Sequence, residues 1–278
     1  MLMLLELHSH SHYSHRSKIK YDGIASPADM IKAAAAKKID AIALCDHNSS
    51  FGWLEAKKAA KKNDIEFIQG EEIDTSDGHV LAINISDVIR PGLSVEETVD
   101  KIHSQGGIAI ASHPFDINHD GTREKSLACD ALEAFNAINF ERFSNKRCMK
   151  FARMHNKPIT AGSDAHAPYM IGRGLTAVKS DTVEKALKEI KAGRTSLIAS
   201  YQPVTTVMRW SLDKLKMSEE HVLQYIENNY HGPKKFISKK MFGLAKRSPG
   251  NIDIFFKGLA YFSLGSVVTY SALKNAGR

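Results

Sequence analysis

Five short apolar runs in this chain end in the same kind of residue. Leu4-Leu5-Glu6-Leu7 leads into His8-Ser9-His10, Ala41-Ile42-Ala43-Leu44-Cys45 into Asp46-His47, and Phe67-Ile68-Gln69-Gly70 into Glu71-Glu72. Ile108-Ala109-Ile110-Ala111-Ser112 leads into His113-Pro114, and Pro158-Ile159-Thr160-Ala161 into Gly162-Ser163-Asp164-Ala165-His166. If such a run is a strand, alternate side chains share a face. His8 and His10 then reach one ion together, and so do Asp164 and His166. A single His-x-His or Asp-x-His marks a surface turn as readily as a site, but five runs with the same ending form a constellation. Imidazoles with carboxylates and without thiolates suit a catalytic cluster of zinc, manganese or iron.

Helical patterns separate the runs. Residues 27–38 follow Ser26 as N-cap, with Pro27 at the first helical position. Residues 51–62 are rich in Ala and Lys, and 94–104 open on a capping box of Ser94 and Glu97. Further helices are predicted over 139–155 and 182–192, and further strands over 79–85 and 195–200. Alternation of this kind predicts parallel strands joined by crossovers. A closed α/β barrel gathers its catalytic groups at the C-terminal ends of its strands, which is where the histidines and acids fall here.

Beyond Gln202-Pro203 the pattern is helical only, with segments at 218–229, 234–247 and 252–273 and Ser218 as an N-cap. Charge divides at the same point. Residues 1–203 hold 26 Lys/Arg and 26 Asp/Glu, whereas 204–278 hold 12 and 5 and carry the whole net charge of +7. The chain therefore reads as a barrel over 1–203 and a basic helical region over 204–278. That region is expected to pack on the barrel, burying Leu259, Phe262, Leu264, Val267 and Val268. The run 258–273 is 16 residues without a charge, short of the ~20 of a membrane span, so membrane attachment is disfavoured. Weak contact with nucleic acid through the basic tail is a further expectation. Cys45, Cys129 and Cys148 show no CxxC spacing, which argues against a disulfide framework or a cysteine zinc site. With no basic, apolar leader at the start, a cytoplasmic location is expected. No Ser-His-Asp motif and no Walker loop competes with the His/acid constellation.

The pieces Leu7-His8-Ser9-His10, Asp46-His47-Asn48, Gly70-Glu71-Glu72-Ile73, His113-Pro114 and Gly162-Ser163-Asp164-Ala165-His166 resemble, in order and spacing, the PHP (polymerase and histidinol phosphatase) domain. The resemblance covers about the first 200 residues. It implies a distorted (β/α)7 barrel, here followed by a small all-helical appendage, with three divalent ions at the strand ends and hydrolysis of phosphoesters. By it, His8, His10, His47, Glu72, His113, Asp164 and His166 fall on ligand positions, with Glu72 rather than Glu71 as the bridging carboxylate. His79 stands where many members carry a further ligand. The family often has Ser-Asp-Gly five residues after the second His, whereas this chain has Tyr13-Ser14-His15; His15 is the candidate ligand there, with Asp22 of Tyr21-Asp22-Gly23 as runner-up. Asp46 is expected to orient an imidazole. Arg173 is expected to grip a substrate phosphate, with Arg142 and Asn136 beside it. The implied substrates are nucleotides or short nucleic-acid phosphoesters, with a histidinol-phosphate-type small molecule as the alternative. The competing class is a metal-binding module without catalysis.

Overall fold

The computed structural model describes residues 2–15, 19–139, 141–249 and 253–276. Strands β1 (Leu2–Glu6), β2 (Ala41–Leu44) and β3 (Glu66–Thr75) run parallel, with helices α1 (Pro27–Ala36) and α2 (Trp53–Asn63) in the connections. Strand β4 (Gly78–Ile83) turns back antiparallel to β3, and β5 (Ile108–Ala111), reached through α3 (Val95–Ser104), is antiparallel to β4. The parallel sense returns with β6 (Ala131–Asn136) and β7 (Ile159–Gly162), joined through α4 (Phe143–Met154). Strand β8 (Gly174–Lys179) is antiparallel to β1 and to β9 (Ser196–Ala199), with α5 (Val183–Lys191) between β8 and β9. The nine strands form one sheet in the order β7-β6-β5-β4-β3-β2-β1-β8-β9.

This sheet curls into a nearly closed barrel. The end strand β7 meets β8 through a side chain: Ala161 N donates to Thr176 Oγ1 at 2.9 Å, and that hydroxyl donates to Ala161 O at 3.1 Å. The alternation of strands and helices predicts parallel strands throughout; the sheet is mixed, because β3 and β4 form a hairpin across Ser76-Asp77. Asp-Gly at 77–78 is itself a hairpin signal.

Two apolar layers line the barrel. Leu5, Leu7, Ile68, Leu81, Ile83 and Ile110 fill the inside. Outside, Ile73, Val80, Ile102 and Leu132 meet α3 and α4, while Met30, Ile31, Ile42 and Leu44 meet α1 and α2. The caps read from sequence are present: Ser26 accepts from Asp29 N, and Ser94 with Glu97 forms a full capping box.

The C-terminal region is all helix: α6 (Val204–Met217), α7 (Glu219–Asn229), α8 (Gly232–Ala245) and α9 (Asp253–Ala276). Trp210 of α6 packs into the barrel's own apolar layer. Ser218, expected as an N-cap, makes no cap bond; its hydroxyl accepts from Tyr21 N at 3.1 Å and ties α6 to the barrel's first loop. The expected burial of α9 is corrected. Leu259 and Phe262 are exposed, Leu264, Val267 and Val268 are half-buried, and Phe256 is the buried side chain of α9 among the described residues. A helix apolar nearly all round can press only one stripe against its neighbours. No described helix is long and apolar enough to cross a membrane.

Candidate metal centre

Glu72 stands at the centre of the site. It lies in the second half of β3, and the period of two turns Glu72 into the barrel mouth and Glu71 away; Glu71 instead accepts from Ile89 N at 2.9 Å. Five imidazoles surround the Glu72 carboxylate. His10 Nε2 is 3.3 Å away, His47 Nε2, His79 Nδ1 and His113 Nε2 are each 3.2 Å away, and His8 Nε2 is 3.5 Å away. Asp164 closes the other side, with its Oδ1 3.3 Å from His10 Nε2 and 3.4 Å from His8 Nε2. His166 stacks on His10 with ring centroids 4.4 Å apart. All of these side chains except those of Asp164 and His113 are almost fully buried.

Local structure explains the convergence. His8 and His10 extend β1 past Glu6, and the chain there pairs with the 164–166 loop through His10 N to Ala165 O at 2.8 Å and Ala165 N to His8 O at 3.2 Å. Asp164 holds φ of +48° and His113 φ of +28°. Left-handed backbone at a non-glycine residue is a strain that sites often carry. At Gly162 a Cβ would fall 2.0 Å from Glu133 Oε1 and 2.6 Å from His8 Cβ, so only glycine lets β7 approach this closely.

A second ring of acceptors aims the imidazoles inward. His8 Nδ1 bonds Glu133 Oε1 at 2.8 Å, His47 Nδ1 bonds Asp74 Oδ1 at 3.0 Å, and His166 Nδ1 bonds Asp164 O at 2.8 Å. Ser14 Oγ lies 3.2 Å from His10 Nδ1. With Nδ1 engaged on the outside, Nε2 faces the centre, the arrangement usual for ligating histidines. Sequence reasoning missed Glu133 and Asp74: Glu133 sits inside a strand with no motif around it, and Asp74 lies just past the Gly70–Ile73 motif, on the same strand face as Glu72.

The electrostatics favour cations. Burial opposes charge on His10 and His113, yet Glu72 and Asp164 hold both pKa values up at about 9. His8 is raised well above the usual value: burial opposes its charge, and Asp164, Glu133 and Glu72 override it. Burial likewise opposes charge on Glu72 and Asp164, and the imidazoles beside them push both carboxyls well below the carboxylate range. The carboxylate field that favours positive charge on buried imidazoles is one that would hold divalent cations. Three donor groups have their ligating atoms within 4.8 Å of one another: His8, His10 and Glu72; His10, Asp164 and His166; and His47, Glu72 and His79. His79 Nδ1 and His113 Nδ1 are buried without a hydrogen bond. The donor set fits metal ions.

Five expectations are corrected. His15 does not join the cluster: Ser14 takes the inward place in the turn, and the next side chain points out to solvent, edge-on to Tyr21 with ring centroids 5.7 Å apart. Asp22 approaches instead, with Oδ2 3.2 Å from His166 Nε2. Among the described residues Asp46 hydrogen-bonds no imidazole; its carboxylate takes Ser11 N at 2.6 Å and Ser11 Oγ at 2.7 Å and so fixes the turn after His10. Arg173 leads into β8 and is drawn along the sheet to Ser200 Oγ at 3.3 Å, away from the cleft. Arg142 stacks 5.1 Å from the Tyr201 ring centroid, also outside it. Asn136 is buried, and its amide donates to Glu133 Oε2 at 3.0 Å and Asp164 Oδ2 at 3.1 Å. It holds carboxylates in place instead of meeting substrate.

The cluster opens into a cleft of about 250 Å³ lined by Glu72, His113, Asp164 and His166, by the acids Asp116 and Asp120, and by Trp210 and Lys214 of α6. Lys214 is the one lysine or arginine among the described residues lining it.

Comparison with known proteins gives the same direction. A family model described as PHP-associated matches residues 142–195. An uncharacterized protein of Methanocaldococcus jannaschii is 37% identical over 149 residues, covering 51% of this chain and 87% of that protein. Shorter stretches match a 5'-3' exoribonuclease of Haemophilus influenzae, at 39% identity over 28% of each chain. Another matches a 3',5'-nucleoside bisphosphate phosphatase of Chromobacterium violaceum, at 34% identity over 32% of this chain and 30% of that protein. The crystal structure of PsfC from Pseudomonas syringae superposes with a TM-score of 0.59 at 16% identity, covering 78% of this chain and 99% of that one; it shares the fold.

Proposed function

The chain belongs to the PHP family of metal-dependent phosphoesterases, and from that premise we propose that it hydrolyses phosphoesters of nucleotides or short nucleic acids. The observation that carries the reading is the Glu72 carboxylate with five imidazole nitrogens within 3.5 Å of it. His8, His10, His47, Glu72, His79, His113, Asp164 and His166, with Asp22 at the rim, would hold three divalent ions of zinc, manganese or iron. When bound, such ions acidify a water and neutralise charge on phosphate oxygens.

The chain's own groups do the positioning. Glu133 and Asp74 fix the ring faces of His8 and His47, and Asn136 fixes Asp164. Trp210 and Ile138 wall the cleft with apolar surface, which restricts water around the ester. A water oxygen bonds to phosphorus as the ester P–O bond breaks, and the products are an alcohol and a phosphate. The nucleotide reading is supported by the names of the exoribonuclease and the bisphosphate phosphatase relatives.

The test is turnover of an aryl phosphate, a nucleotide and oligonucleotide panel and histidinol phosphate, with Mn²⁺, Zn²⁺ and Fe²⁺ in turn. Turnover is expected to fall at least about a thousandfold in His8→Ala/His10→Ala, with metal content reduced in the same variant. Absence of turnover above that control with every metal would sink the enzymatic reading. Histidinol phosphate outpacing every nucleotide by orders of magnitude would replace the substrate class.

A further inference from the structure

The helical appendage contributes a side chain to the cleft. Lys214 of α6 lies 192 residues beyond Asp22 in sequence, and its Nζ donates to Asp22 Oδ1 at 3.0 Å. Its ammonium also sits 3.7 Å from the centroid of the Trp210 ring. Trp210 in turn packs on His166, with centroids 4.5 Å apart, and donates from Nε1 to Asp22 O at 2.8 Å. The ammonium is therefore held at the cleft by an aromatic face as well as by a carboxylate. A cation seated over a ring in a partly desolvated place keeps that position when its carboxylate partner is claimed by another charge.

We propose that Lys214 is the specificity-determining residue that grips the substrate's phosphoryl group and makes the site prefer phosphate monoesters to diesters. The inference rests on the phosphoesterase reading and narrows its substrate class. Every other charged side chain lining the cleft is a carboxylate or a histidine of the cluster. Cations held by the cluster would engage the phosphate oxygens nearest to it, and Lys214 is the cation left at the cleft for an oxygen beyond them. A monoester has three unesterified oxygens and about 1.5 to 2 negative charges near pH 7, one oxygen and up to one charge more than a diester. Having met the metal cluster, a monoester therefore keeps one more oxygen and more charge for Lys214 than a diester does. The acidic rim of Asp116 and Asp120 also repels additional phosphates along a polynucleotide.

The experiment compares the full-length protein with Lys214→Met and Lys214→Arg on p-nitrophenyl phosphate and bis-p-nitrophenyl phosphate. Inorganic phosphate binding is measured by calorimetry and metal content by elemental analysis. Loss of one charge-assisted contact lowers kcat/KM for the monoester about 10- to 100-fold, chiefly through KM, and weakens phosphate binding by a similar factor. The diester rate stays within about threefold, metal content is unchanged, and Lys214→Arg recovers most of the loss. Equal losses on both esters together with loss of metal would mean that Lys214 only props Asp22, and the inference falls. No loss on either ester also overturns it. If wild type turns over neither ester with any metal, it is the phosphoesterase reading that fails. Calorimetry still judges Lys214 in that case, since unchanged phosphate affinity in Lys214→Met overturns the inference.

Discussion

The barrel and the outer helices of the appendage obey different packing rules. In the barrel Leu5, Leu7, Ile42, Leu44, Ile73 and Ile110 are sealed from solvent, and apolar layers cover both sides of the sheet. Around α7, α8 and α9 the cores shrink to Leu212, Ala245 and Phe256 in one place and Val222, Ile226 and Phe242 in another. An apolar groove of about 630 Å³ runs between these helices and the outer face of α6, while Phe236, Ile254 and Phe262 face solvent. Helix α6 belongs with the barrel in this respect, because Trp210 sits in the barrel's layer and Lys214 at its mouth. Tight packing is thus concentrated around the nine polar side chains of the site, and it stops one helix beyond them.

The sharpest way to break that division is to cut its seam. Trp210→Ala removes a large buried ring and the donor to Asp22 O. A cavity of that kind costs about 3–5 kcal/mol, to be read from urea unfolding. A loss under about 1 kcal/mol would assign α6 to the loose region instead.

Next in size is Gly162→Ala, which tests the barrel's tightness at the site itself. The new Cβ would overlap Glu133 Oε1 at 2.0 Å and His8 Cβ at 2.6 Å. Glu133 has little room to yield, because it also accepts from His113 N at 2.9 Å and Asn136 Nδ2 at 3.0 Å. Overpacking of this kind costs about 1–3 kcal/mol, and the upper end is expected. Displacement of the His8 ring should also lower metal content. Unchanged stability with full metal content would show that β7 can move aside.

What the sequence discloses follows from how local each relation is. His8 with His10, and Asp164 with His166, are legible because neighbours two apart on extended backbone share a face. Glu72 is told from Glu71 by the family's Gly-x-Glu spacing, and the strand period then turns the two to opposite sides of β3. The direction of β4 has a local cue in Asp77-Gly78, but strand–helix alternation alone does not encode it. His15 against Asp22 depends on how one turn closes, and Ser14 settles that by turning inward. Glu133, Asp74 and Lys214 are illegible for another reason. Each acts on a residue far off in sequence, and a strand-interior acid or a helical lysine looks the same whether it faces a metal cluster or water. Arg173 and Arg142 show the converse: residues near strand ends in sequence are drawn away by Ser200 and Tyr201.

The smallest effect belongs to the far side of the comparison. Phe262 in α9 is 74% exposed, so Phe262→Ala removes a ring that is already mostly in water. Surface changes away from caps, cavities and charge networks stay within about ±0.5 kcal/mol, and this one should leave kcat/KM within about twofold, since among the described residues α9 supplies none to the cleft. Urea unfolding and steady-state rates of the same preparation check both halves. A loss above about 2 kcal/mol would place Phe262 in a packed interface, as the apolar sequence of 258–273 alone leads one to expect. The division between a rigid barrel with α6 and a loosely packed α9 would then have to be redrawn around the whole appendage.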